Sequence, residues 1–237
     1  MRRQGIVRLH AYPRSGSTRH DPRHRQAPQR RFIEPVDVLT AAEFGDGRET
    51  AGWAAARVKH NEQARIDVTL EDLQAELTAR LGANQVFDLS VRPKRFLKVR
   101  FSRYRQGHAY GRHVDNAIMD GGRTDVSFTL FLTDPDTYDG GELVLETAAG
   151  EDAIKLPAGS VLAYPSTTLH RVAEVTRGER LVMVGWVRSY VRDQAQRELL
   201  FDLETARRSL FDKSGNSAEF NLLSKVSANL VRMWSDD

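Results

Sequence analysis

The chain of 237 residues contains no cysteine. Disulfides, zinc–thiolate sites and iron–sulfur clusters are therefore excluded, and the absence fits a cytoplasmic protein. No apolar run approaches the roughly 20 residues that cross a bilayer as a helix. The N-terminus also lacks the apolar core of a signal peptide. Charge of one sign is scarce in one place only. Residues 1–31 hold nine arginines against a single acid, Asp21, while the remainder holds 26 basic and 31 acidic residues. A basic arm can meet nucleic acid or anionic lipid through non-specific attraction. Its Arg, His, Pro and Ser content, without apolar periodicity, reads instead as a disordered extension over 1–31. His10, His20 and His24 lie there and receive no metal role.

The remaining length suits one domain with a sizeable core. Residues 32–94 read as an N-terminal α/β layer. A short apolar stretch, Phe32 to Leu39, passes into the turn-like run Gly45-Asp46-Gly47-Arg48. Ala51 to Asn61 is compatible with strand or helix. Thr69 to Leu81 predicts a helix: Thr69 and Asp72 have capping-box spacing, Leu70, Leu73, Leu77 and Leu81 share one face, and Gly82 stands where a stop belongs. From Arg95 the period changes to two. Leu97, Val99 and Phe101 alternate with Lys98, Arg100 and Ser102, and Val126, Phe128, Leu130 and Leu132 alternate with Ser127 and Thr129. Further strands are expected at 143–145, 154–156, 160–164, 170–175 and 180–187. Many short strands with turn punctuation predict a sandwich or jelly roll over 95–190. Residues 191–237 return to helix, over Val191–Leu210 and Phe220–Trp234, with a break at Asp212–Ser217. These helices pack on the sheet or on a second copy of the chain, so a homodimer is open.

Chemistry concentrates in Tyr104 to Asp115, YRQGHAYGRHVD. On extended backbone His113 and Asp115 point to one face, so one metal ion can take both. His170, at the start of a strand after a loop, supplies a third ligand from across the barrel. Two His and one Asp on one side of an octahedron suit non-haem Fe(II) and oxygen chemistry. Arg180 follows a hairpin at 176–179 on the neighbouring strand, facing inward with Val182, Val184 and Trp186. A guanidinium there needs a partner, and a carboxylate ligand would be one. Tyr104 can add a hydroxyl to the same carboxylate, with Gly107 and Gly111 forming a flexible lip. Each element has a plainer reading: chance HxD, a structural histidine, or an Arg180 ion pair with Glu142 or Glu174. The joint spacing is much more specific.

The stretches RYRQGHAYGRHVDNAIM, RTDVSFTLFLTDPDTYDGGELVLE, IKLPAGSVLAYPSTTLHRVAEVTRGER and VRDQAQRELLFDLETA resemble the PKHD-type hydroxylases of bacteria, Fe(II)/2-oxoglutarate-dependent dioxygenases related to prolyl and lysyl hydroxylases. The resemblance runs from about Gly45 to the C-terminus. It implies a mainly β fold with flanking helices, a double-stranded β-helix (jelly-roll) core and a C-terminal helical segment. It implies His113, Asp115 and His170 as iron ligands, Arg180 as the 2-oxoglutarate anchor, and L-ascorbate as the helper that re-reduces iron. The expected reaction hydroxylates a C–H bond of a small-molecule or peptidyl substrate with O2, releasing succinate and CO2. Two departures stand out. The helix that such proteins carry ahead of the DGR segment is missing, and His60 replaces an expected Asn.

Three rivals are weighed. Nucleic-acid dealkylating dioxygenases carry a second arginine six residues after the first; here that position is Trp186, which disfavours a nucleic-acid substrate. A cupin-like metal-binding protein draws on more histidines with a Glu ligand and has no need of Arg180. A non-catalytic binding module with a vestigial triad conflicts with the completeness of the triad.

Overall fold

The computed structural model describes residues 7–10 and 35–236, and the rest of the basic extension lies outside the described residues. The chain begins with Val7–His10 (β1), Pro35–Ala41 (α1), Phe44–Asp46 (β2), Lys59–His60 (β3), Glu62–Ala64 (β4), Val68–Ala83 (α2), Gln85–Val91 (α3) and Pro93–Tyr104 (β5). Strands then dominate: Ala109–His113 (β6), Ile118–Met119 (β7), Gly122–Arg123 (β8), Val126–Phe131 (β9), Asp139–Gly140 (β10), Leu143–Thr147 (β11) and Gly150–Ile154 (β12). They continue with Ser160–Pro165 (β13), His170–Val172 (β14), Val175–Arg177 (β15) and Arg180–Ser189 (β16), followed by the helices Gln194–Ser214 (α4) and Ala218–Trp234 (α5).

The N-terminal segments differ from expectation. Val7–His10, expected to be disordered, pairs antiparallel with β13 at the edge of a sheet. A helix does precede the DGR segment: α1 ends at Ala41, three residues before β2, and buries Leu39. Ala51–Asn61 resolves into a 3-10 turn at Ala55–Arg57 and the short strand β3. Helix α2 begins one residue before Thr69, because Asp67 is the cap and accepts from the Leu70 N–H. Its stop is Asn84 rather than Gly82; the Asn84 side chain also caps α3. Leu70, Leu73, Leu77 and Leu81 are all buried, as their spacing requires. Each contributes about 2 kcal/mol through removal from water.

Two sheets face each other. The larger has the order β1-β13-β9-β16-β5-β4-β2 and the smaller β12-β11-β14-β6-β3. This is the jelly-roll arrangement of antiparallel strands, with helices on one outer face. Leu77, Leu81, Phe87 and Val91 of the helices pack against Phe128, Leu130, Met183 and Val187 of the larger sheet. A second cluster lies between the sheets, with Phe131, Leu162 and Val182 meeting Leu143, Leu145 and Val172. Every residue of β9 is buried. Its apolar row, Val126, Phe128 and Leu130, faces the helices. Ser127 and Thr129, the polar row, line a cavity between the sheets instead of meeting solvent.

Strand β5 breaks its own alternation. Lys98 has φ of 41°, and the β5–β16 register shifts between Val184 and Trp186. This bulge puts Phe96, Val99 and Phe101 against the helices, whereas Leu97, expected on the same face, approaches Gly122. Arg100, Ser102 and Tyr104 then line the cavity.

Candidate active site

Strand β6 ends at His113, and β14 begins at His170. The two strands pair antiparallel, with His113 directly opposite His170. The second histidine is therefore a lateral neighbour in the same sheet, and does not face the first across the barrel as its sequence separation suggested. Asp115 follows two residues beyond His113 while Val114 turns outward, half-exposed. Ligand-capable atoms of His113, Asp115 and His170 all lie within 4.8 Å of one another. The Nε2 atoms of His113 and His170 are each 3.9 Å from an Asp115 carboxylate oxygen.

Hydrogen bonds set the two rings. His113 Nδ1 lies 2.8 Å from the Gly111 carbonyl oxygen, and His170 Nδ1 lies 2.9 Å from that of Thr168. A carbonyl only accepts, so each Nδ1 carries hydrogen, and Nε2 of each ring is the atom directed at Asp115. Burial, reinforced by the neighbouring His170, lowers the His113 imidazole to about 4, which keeps it neutral near pH 7. Tyr110 stacks on His113 with ring centroids 3.7 Å apart. Ser127 donates to Asp115 Oδ2 at 2.6 Å, and Ser166 lies 2.8 Å from the Ser127 hydroxyl. Two imidazole nitrogens and an oriented carboxylate form a donor set that suits a divalent first-row metal such as Fe(II).

Arg180 is 1% exposed. Its strand pairs with β5 and β9 in the larger sheet, so the chain crosses between sheets after β15, and Arg180 reaches the cavity from the wall opposite β14. The neighbouring-strand placement expected from the hairpin is thus corrected. Arg180 forms no ion pair with Glu142, Glu174 or any other carboxylate among the described residues. Its Nε is buried without a hydrogen-bond partner. Tyr104 is its register partner on β5, and the guanidinium carbon sits 5.0 Å from the Tyr104 ring centroid and 5.6 Å from that of Phe131. A buried guanidinium with an unmet N–H fits the distal carboxylate of a dicarboxylic co-substrate.

The 2OG-Fe(II) oxygenase superfamily matches residues 99–188, a span that contains Tyr104, His113, Asp115, His170 and Arg180. A PKHD-type hydroxylase from Picosynechococcus is 55% identical over 200 residues, covering 84% of this chain and 91% of its own. The chain belongs to the PKHD-type hydroxylases. A PKHD-type hydroxylase from Synechococcus elongatus is 55% identical over 203 residues, with 84% and 91% covered. One from Maricaulis maris is 47% identical over 201 residues, covering 85% and 92%. The crystal structure of a Pseudomonas putida prolyl-4-hydroxylase aligns over 78% of this chain and 93% of its own, at 22% identity and a TM-score of 0.48. As a PKHD-type hydroxylase the chain is an enzyme of the class that uses Fe(II), 2-oxoglutarate and O2.

Several cavity residues had no signal in the chemistry-bearing motifs. Lys59, Asn61 and Gln63 alternate into the cavity along β3 and β4 and are all buried. Their period of two was present in KHNEQ, but a polar row reads as solvent-facing unless something is known to cover it. Ser166, behind Ser127, lies in a stretch whose sequence reads only as loop. The expected glycine lip is corrected: Gly107 forms a turn with φ of 82°, and Gly111 lies so close to β3 that an added Cβ would stand 2.7 Å from Val58 Cβ. Neither glycine lines the cavity. His60 is exposed, its ring tilted against that of His108 with centroids 4.6 Å apart, and it does not line the cavity.

Proposed function

We propose that the enzyme hydroxylates a C–H bond of its prime substrate while 2-oxoglutarate is converted to succinate and CO2. In this reading His113, Asp115 and His170 hold Fe(II), Arg180 pairs with the distal carboxylate of 2-oxoglutarate, and Tyr104 flanks that carboxylate. The iron, when bound, supplies O2 activation coupled to decarboxylation of the co-substrate. The chain's own contribution is to keep the His113 imidazole neutral through burial, to aim both rings through the Gly111 and Thr168 carbonyls, and to orient Asp115 through Ser127. The observation that carries the reading is the buried Arg180, with no carboxylate partner among the described residues, facing the same cavity as the triad. L-ascorbate serves as the external reductant that rescues oxidised iron. The absence of cysteine supports a cytoplasmic setting. Exposed Leu199, Leu222 and Met233 on α4 and α5 support a homodimer through those helices.

The test is release of succinate and CO2 by the Fe(II)-loaded protein given 2-oxoglutarate and O2. Absence of turnover with any candidate substrate, together with absence of Fe(II) binding, would sink the reading.

A further inference from the structure

The cavity has a second cationic wall that the triad and Arg180 do not use. Lys59 is 6% exposed, and its ammonium donates to Thr50 Oγ1 at 3.1 Å and lies 5.3 Å from the Tyr110 ring centroid. Arg100 enters from β5, its Nη1 3.4 Å from Gln63 Oε1. Neither forms an ion pair with a carboxylate among the described residues. Asp120 acts on Arg100 only at longer range, and its own carboxylate is engaged by the Lys98 ammonium and backbone N–H. Lys59 and Arg100 therefore repel one another in a partly desolvated space, an arrangement that folding alone disfavours.

Neutral groups on the same cavity are also unmet. The carboxamide oxygen and nitrogen of Asn61 are buried without a well-formed hydrogen bond, the Tyr104 hydroxyl being a polar neighbour, and Asn61 is 3% exposed. The indole Nε1 of Trp186 is buried without a partner as well. Both residues line the cavity with Lys59 and Arg100. A buried polar atom left unpaired costs about 1–3 kcal/mol, so this wall is built for something other than the protein's own side chains.

Charge balance decides what. A divalent iron, the Asp115 carboxylate, a dianionic co-substrate and the Arg180 guanidinium together sum to zero. Lys59 and Arg100 stand outside that balance; Asp115 and Asp46 act on Lys59, and Asp120 on Arg100, only at longer range than an ion pair.

We infer that Lys59 and Arg100 form an anion subsite for the prime substrate, so that the molecule hydroxylated here carries an anionic oxygen group, a carboxylate foremost. The inference rests on the reading of Arg180 as the co-substrate anchor. A planar guanidinium matches a carboxylate geometrically, and the ammonium adds a point charge. The subsite holds the anionic end of the substrate on β3–β5 while a C–H bond further along lies beside His113.

The test needs no known substrate to begin. Sulfate serves as the probe anion, titrated anaerobically into Fe(II)- and 2-oxoglutarate-loaded protein and followed by calorimetry. Saturable binding is expected, weakened about tenfold or more in Lys59→Met and again in Arg100→Met. No binding, or binding indifferent to both substitutions, overturns the inference. The visible charge-transfer band of the Fe(II)–2-oxoglutarate complex separates this result from failure of the underlying reading. The band should titrate with the same 2-oxoglutarate affinity in wild type and both variants. A weaker 2-oxoglutarate affinity in Lys59→Met would assign the cations to the co-substrate and overturn the inference; no band in wild type would sink the iron and co-substrate reading itself. A panel of carboxylic acids and their primary amides, scored by succinate release, completes the test. Acids should turn over in preference to amides, and preferred turnover of the amides counts against the subsite.

Discussion

His113 and His170 stand directly opposite each other on antiparallel strands, with ring centroids 4.2 Å apart. Each ring is tied by Nδ1 to the backbone carbonyl two residues before it. One β ladder thus sets the separation of the two imidazoles, and two local hydrogen bonds set their direction. Paired strand ends and the two carbonyl bonds hold both rings, so this half of the triad is positioned before any metal arrives.

Replacing either histidine by alanine should lower Fe(II) or Mn(II) affinity by more than the roughly 100-fold that loss of an outer hydrogen-bonding partner costs. Equilibrium dialysis with metal analysis checks it. Equal affinity in His170→Ala would remove that residue from the ligand set.

Ser127→Ala leaves the three ligand residues intact but removes the hydroxyl that donates to Asp115. Metal affinity or turnover should drop about 10- to 100-fold. Ser127→Thr keeps a hydroxyl and should recover part of the loss. The pair of variants, measured by metal titration, separates orientation of Asp115 from general disruption of the strand.

Arg180→Met should weaken 2-oxoglutarate binding about 10- to 100-fold, the worth of a charge-assisted pair. Metal affinity should change little, because Arg180 approaches from the opposite sheet. Titration of the charge-transfer band measures the first and metal dialysis the second. An unchanged 2-oxoglutarate affinity would remove Arg180 from its proposed role.

Acid should destabilise the metal-free protein through His113. Its folded pKa of about 4 lies below the ordinary 6.5. Between those values the unfolded chain binds the proton and the folded chain does not, so stability falls as pH drops from 6.5 toward 4. The loss is about 2–3 kcal/mol at most. Urea unfolding of wild type and His113→Gln across that range should show a steeper decline for wild type.

Lys59 gives a pH dependence of the same sign in a higher window. Burial, with Arg100 beside it, lowers its ammonium from 10.5 to about 8. Holding the charge in the folded state therefore costs stability at pH 7, and the cost fades as pH rises through 8 toward 10.5. Lys59→Met should raise the unfolding free energy by about 1–3 kcal/mol at pH 7. The gap from wild type should narrow at pH 9. A variant less stable than wild type at pH 7 would contradict a strained, uncompensated lysine.

The sequence by itself determined which residues share a face. Leu70, Leu73, Leu77 and Leu81 had to form one side of a helix, Val126, Phe128 and Leu130 one side of a strand, and His113 and Asp115 one side of an extended segment, because backbone periodicity is local. It also marked Arg180 as a charge on an apolar row. What covers each face was decided only by the tertiary structure. Ser127 and Thr129, or Lys59, Asn61 and Gln63, form the same alternating pattern whether water or a cavity lies beyond them. Strand pairing is likewise non-local: nothing in the 54 residues between Asp115 and His170 stated that His170 would lie beside His113 while Arg180, ten residues on, crossed to the other sheet. The Lys98 bulge, which depends on the Asp120 contact with its backbone N–H, redirected Leu97 for the same reason. Local spacing names the ligands, and the closure of two sheets over one cavity brings them into reach of a single ion.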